Sequence, residues 1–243
     1  MKAVLRWLAL ALVAGLALQA FFVARVALMA VIDPESTTFQ RSEAWRIATE
    51  RDKLRWSQRW VPYSQISDNL KRAVIASEDG SFANHDGVDW DALEKAWARN
   101  EKAEEQATRR AQFAPARARP PKIVGGSTIT QQLAKNLLLS GERSLLRKGQ
   151  EFVLTMTLEH ALSKQRILEI YLNNVEWGEG VFGAEAAAQH YFRKPASRLT
   201  AYEAARLAVM LPQPKRFEKM PGSRYLSGRT ATIVARMSAA ELP

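Results

Sequence analysis

At 243 residues the chain has room for one membrane-spanning segment and one globular domain of about 200 residues, enough to bury a core without covalent staples. It has no cysteine, which excludes a disulfide framework and thiolate metal sites, and its three well-separated histidines (His85, His160, His190) argue against a His-rich metal cluster. A formal net charge of +10 points to an anionic partner: nucleic acid, an anionic membrane surface or a phosphorylated substrate.

Residues 1–6 carry Lys2 and Arg6. From Trp7 to Ala24 the chain reads WLALALVAGLALQAFFVA, with Gln19 its one clearly polar residue, and after Arg25 the apolar run resumes to Ile32. About 20 apolar residues span a bilayer core as a helix, so residues 7–32 are read as a transmembrane signal anchor. The competing reading, a cleaved signal peptide, is disfavoured because the run exceeds the usual 7–15-residue apolar region. With Lys2 and Arg6 kept in the cytoplasm, the rest of the chain is expected outside it. That separates the basic domain from nucleic acid and from ATP.

Residues 33–66 form a polar juxtamembrane segment with Trp45, Trp56 and Trp60 among arginines. Such residues suit either the headgroup layer or an ordinary core. From residue 67 to 243 helical signals dominate. Ser67 or Asp68 caps a helix bearing Leu70, Ala73, Val74 and Ile75 that ends at Glu78 and Asp79. Residues 94–122 are charged and Ala-rich, then Arg- and Pro-rich, and show no clear hydrophobic period; they are read as a mobile excursion. Ser127 is expected to cap a helix to about residue 140. Further helices are expected at about 144–162, from Ser163 to about Asn173, and at 184–192. Thr200 and Glu203 form a capping box for a further helix, stopped by Pro212 and Pro214. No strand alternation longer than a few residues and no repeat appears.

Three clusters carry chemistry. In Glu78-Asp79-x-x-Phe82-x-x-His85, an apolar helix delivers two carboxylates to its C-terminus, where the dipole opposes negative charge and raises a carboxyl pKa. The bland alternative is a solvated turn. In Gly125-Gly126-Ser127-Thr128-Ile129-Thr130-Gln131-Gln132-x-x-Lys135-Asn136, helical spacing puts Thr128, Gln132, Lys135 and Asn136 on one stripe, suited to sugar hydroxyls and phosphate oxygens. The glycines also open the helix N-terminus to an anion. An exposed amphipathic face is the alternative. Third, Arg147 and Glu151 lie four apart on a helix, which by itself describes a surface ion pair.

In this order the clusters closely resemble the glycosyltransferase family 51 domain of peptidoglycan synthesis. Its motifs correspond here to Glu78–His85, Gly126–Gln132, Arg147–Glu151, Ser163-Lys164 through Tyr171-Leu172-Asn173, Gly178-x-Gly180-x-x-Gly183 and Leu211-Pro212-Gln213-Pro214. The resemblance runs from about Trp60 to Phe217, and with the chain ending soon afterwards it indicates a monofunctional transglycosylase. It implies a mainly α, lysozyme-like, two-lobed helical domain preceded by one transmembrane helix. It implies Glu78 as catalytic base and Glu151 as a second catalytic glutamate. Asp79, Phe82, His85, Thr128, Gln132, Lys135, Asn136 and Arg147 become substrate-binding positions. A divalent cation (Mg or Mn) is compatible through Glu151, with no metal ligand firmly assigned and no organic cofactor. The implied partners are lipid II, the growing lipid-linked glycan and other cell-wall proteins, at the inner membrane with the domain periplasmic. Rival readings are a lytic hydrolase of similar shape and a non-catalytic membrane-tethered scaffold.

Overall fold

The computed structural model describes residues 1–50, 55–113, 120–121, 125–139, 141–142 and 144–243. Helix α1 (Lys2–Leu28) is long and apolar enough to cross a membrane. It ends four residues before the apolar run does. Part of that run belongs to the domain, because Val26 and Met29 are buried in its core. Helix α2 (Thr38–Glu50) follows. The three tryptophans divide between the two environments expected for them. Trp45 is exposed, Trp60 packs against the core, and Trp56 stacks on Phe182 with ring centroids 4.5 Å apart.

Helix α3 (Asp68–Glu78) is capped by Ser67, whose side chain accepts the Leu70 N–H, and it ends at Glu78. Helix α4 (Trp90–Phe113) corrects the reading of residues 94–122 as an excursion, at least to Phe113. Its inward stripe is written in small or polar residues (Ala92, Ala96, Asn100, Ala103, Ala107, Ala111), so helical periodicity is present but carries little hydrophobicity. Residues 114–119 and 122–124 of that stretch lie outside the described residues.

Helix α5 (Ile129–Leu138) starts one residue later than expected, with Thr128 rather than Ser127 as its cap. The Thr128 hydroxyl accepts the Gln131 N–H, and the Gln131 side chain accepts the Thr128 N–H, a reciprocal capping box. Helices α6 (Leu145–Ala161) and α7 (Lys164–Asn174) begin where expected, capped by the side chains of Ser144 and Ser163. Beyond them come α8 (Ala184–Phe192), α9 (Ala201–Met210), α10 (Pro214–Glu218) and α11 (Arg224–Arg236). Pro214 opens α10 at a first-turn position, where proline's missing N–H costs nothing. Helix α11, for which the sequence reading offered no motif, packs on α3 and α9.

A small sheet of order β1-β3-β2 joins Ser57–Gln58 (β1), Glu176–Gly178 (β2) and Val181–Phe182 (β3), with β1 parallel and β2 antiparallel to β3. The glycine-rich turn makes it possible. Gly180 has φ +73°, and a Cβ there would sit 1.9 Å from the Arg55 carbonyl oxygen; Gly183 has φ +83°, with a Cβ 2.6 Å from that of Asn173. The Asn173 side chain closes this region by accepting the Val61 N–H and donating to the Val61 carbonyl.

Helices α3, α9 and α11 pack together on one side, and α5 packs with α6, α7 and α2 on the other. Helix α1 lies against α6. The clusters singled out in the sequence fall where α3, α4, α5 and α6 approach one another.

Candidate active site

Glu78 is the last residue of α3 and stays half-buried beside a cavity of about 290 Å³, whose lining includes Asp79, Lys95, Arg99 and Thr128. Burial pushes its carboxyl pKa up, and the charge of Asp79 adds to the rise. Hydrogen bonds from Gln132 and Ser77 and the positive charge of Arg229 pull the other way without cancelling it. The direction expected from the sequence is thus present, but desolvation is its leading cause.

The Gln132 amide donates to Glu78 Oε2 at 3.2 Å and accepts the Tyr171 hydroxyl at 3.0 Å. Tyr171 is fully buried, and burial followed by the charges of Glu78 and Asp79 raises its phenol well above the ordinary range, so it stays protonated as a donor. It therefore fixes which end of the Gln132 amide faces Glu78. Tyr171 was legible only as part of a packing motif, because the contact is made between residues 39 apart in the chain.

Asp79 is turned inward. Its Oδ2 accepts the Ile129 N–H at the start of α5 (2.9 Å), and its Oδ1 pairs with His85 Nε2 (2.8 Å). The Gly87 N–H points at His85 Nδ1 (3.1 Å), which assigns the proton to Nε2 and makes His85 the donor to Asp79. The anion expected at the N-terminus of α5 is therefore Asp79 itself, and this terminus is not left open for a ligand. Thr128 Oγ1 donates to the Gly87 carbonyl at 2.6 Å. Phe82 is wholly buried, edge-on to His85 with ring centroids 6.4 Å apart. Asp79, Phe82, His85 and Thr128 thus hold the end of α3 against the start of α5. Phe82 is buried behind this joint and His85 is half-buried, while Asp79 and Thr128 also line the cavity beside Glu78.

Of the expected stripe, Lys135 is exposed and Gln132 and Asn136 are half-buried, while Leu133 and Leu137 point into the core. One turn beyond Gln132, Lys135 is held below its ordinary pKa by desolvation and by the neighbouring charges of Arg147 and Lys148, against the attraction of Glu151. Glu151 is buried rather than at the surface, paired with Arg147 at 2.7 Å and with Lys148. Burial pushes its pKa up, but the two cations outweigh burial and hold it below the ordinary value. Arg147 keeps one further donor: its Nε–H is buried and has no protein partner.

Both Glu151 oxygens already face cations, and among the described residues no three His, Cys, Asp or Glu side chains are grouped to hold a metal. This donor set does not fit a resident divalent cation. His160 is exposed on α6 and takes no part in the site.

The architecture is that of a helical domain built on a membrane-type helix, with a hydrogen-bonded carboxylate facing a cationic cluster along one side of α5. A family profile described as Transglycosylase matches residues 45–238, and the chain belongs to that family. It is 54% identical to a biosynthetic peptidoglycan transglycosylase of Burkholderia thailandensis over 246 aligned residues, covering all of this chain and 90% of the relative. It is 52% identical to the protein of that name from Paraburkholderia xenovorans, covering 98% of this chain and 94% of the relative.

Proposed function

We propose that this chain polymerises lipid II into β-1,4-linked glycan with release of polyprenyl diphosphate. The observation that carries the reading is the polarity of one helix: α5 sets Gln132 against the carboxylate of Glu78 and, a turn later, Lys135 beside Arg147 and Glu151. A base at one end and cations at the other match a reaction that takes a proton from one sugar and releases an anion from the next.

Glu78 takes the proton from the acceptor sugar's 4-hydroxyl as that oxygen attacks the donor's anomeric carbon. The bond from that carbon to the diphosphate oxygen breaks in the same step, inverting the α-linked donor to a β link. A raised carboxyl pKa, brought nearer working pH, suits a base that must accept and later shed a proton. Lys135 and Arg147 stabilise the departing diphosphate. Glu151 holds Arg147 in place, and Asn136 and Gln132 address sugar hydroxyls. The positive charges of Lys2 and Arg6 ahead of the apolar helix support an orientation with that end in the cytoplasm and the domain on the periplasmic face of the inner membrane.

The purified full chain is expected to convert lipid-linked disaccharide-pentapeptide into long glycan, and Glu78→Gln is expected to abolish it. Undiminished polymer from Glu78→Gln would overturn the mechanism. Shortening of preformed glycan without synthesis would favour a lytic enzyme of similar shape.

A further inference from the structure

Helix α1 does more than tether the domain. Gln19, Phe22, Val26 and Met29 are spaced three, four and three residues apart, which places them on one stripe of a helix. Val26 and Met29 are buried in the core and Phe22 packs against it, whereas every residue from 1 to 18 is exposed. Gln19 is therefore the first residue along the chain to meet the domain. Its partner is Gln150 on α6: Gln19 Nε2 donates to Gln150 Oε1 at 2.7 Å, and Gln150 Nε2 donates back to Gln19 Oε1 at 3.0 Å.

Seven residues separate Gln19 from Val26, so the amide pair lies about 10 Å further along the helix than the first buried core residue, on the side leading into the apolar stretch. There an amide needs a partner, and a reciprocal pair fixes both rotation and height. The other end of α1 is fixed separately. Arg166 donates to the carbonyls of Met29 (2.8 Å) and Ile32 (3.2 Å) and pairs with Asp33 (2.7 Å). These two points tie α1 to α6 through Gln150 and to α7 through Arg166. Gln150 immediately precedes Glu151 and follows Arg147 by three residues, so whatever sets its height sets theirs.

We propose that the Gln19–Gln150 pair is a positioning device that holds α6, and with it Arg147 and Glu151, at the depth of the substrate's membrane-bound diphosphate. The proposal rests on the polymerase reading above. Because the pair acts on height relative to lipid, its loss falls on substrates whose own height is fixed by a long chain. A soluble substrate can follow the site wherever it moves.

The test measures KM and kcat for the full chain in lipid vesicles, with a long-chain lipid-linked substrate and with a water-soluble short-chain analogue. Wild type is compared with Gln19→Leu, Gln150→Leu and the double variant. Each single variant is expected to lower kcat/KM for the long-chain substrate about tenfold, the scale of an interhelical polar contact within a membrane. The change should sit in KM, leave the short-chain analogue unaffected, and grow no larger in the double variant. Wild-type values on both substrates would overturn the proposal, as would equal loss on both together with a lowered melting temperature.

A wild type unable to polymerise would count against the polymerase reading instead, and the contact is then judged by cross-linking. The chain has no cysteine, so a Gln19→Cys, Gln150→Cys variant carries two thiols and no others. A short bis-maleimide is expected to join them in vesicles, and failure to join them would refute the pairing.

Discussion

Replacing Tyr171 by phenylalanine removes one oxygen from a fully enclosed position and leaves the ring in place. The lost hydroxyl is the donor to Gln132 Oε1 at 3.0 Å, and the other end of that amide donates to Glu78 Oε2 at 3.2 Å. Stranding a buried acceptor costs about 1–3 kcal/mol. At about 2–4 °C per kcal/mol for a chain of this size, the melting temperature should fall by roughly 2–12 °C. The amide can relieve the loss by turning its NH₂ away from Glu78, which gives up a hydrogen bond that favours the ionised carboxylate. The Glu78 pKa, already raised by burial, then rises further. A base must be deprotonated to act, so the acidic limb of the kcat/KM profile should move to higher pH, with activity lost most at low pH. Polymerisation rates across pH, with melts on the same samples, measure both effects. Gln132→Leu should shift the limb in the same direction, and adding Tyr171→Phe to it should shift it no further. A lowered melting temperature with an unmoved limb would refute the reasoning and reduce Tyr171 to a core residue.

Glu78→Gln should be at least as stable as wild type at pH 7–8 while inactive. The folded pKa lies above the ordinary 4.5, so wild type loses stability as pH rises past that value, and the advantage of the variant should vanish below it. Glu176, pushed up to about 7 mainly by burial, gives a second case away from the site. Wild type should lose stability between about pH 4.5 and 7, and Glu176→Gln should recover up to about 3 kcal/mol of it at pH 8 by chemical denaturation, less what Lys215 loses as a partner 3.4 Å away. Gly180→Ala drives a Cβ to 1.9 Å from the Arg55 carbonyl at a positive φ, opposing the β1–β3 pairing. It should cost about 3 kcal/mol or more, read as a fall in denaturation midpoint.

Much of the helical frame was legible because its signals are local. Ser67, Ser144, Ser163 and Thr200 cap helices through bonds that span three residues, and the apolar period of α3 runs up to Glu78 without long-range help. Helix α4 was missed because its inward face is alanine, which carries the period without the hydrophobicity that usually announces it. Thr128 took the capping role expected of Ser127 because the same hydroxyl is also needed by the Gly87 carbonyl, 41 residues away.

Order and residue type in the sequence were enough to pick out a carboxylate pair, a cationic cluster and an apolar helix in one chain. What surrounds each of them depends on tertiary contact. Asp79 and His85 read as exposed chemistry until α5 is brought against α3, where they become the joint between the two helices. Arg147 and Glu151 describe a surface pair until the packing of α6 buries the carboxylate. Spacing within a helix fixes which side chains share a face, because the backbone repeat is local. Which face is enclosed, and which carboxylate is left without water, depends on elements distant in the chain. Gln19 shows the same division. Alone it is one polar residue in an apolar run, and only the approach of α6 supplies Gln150 as its partner.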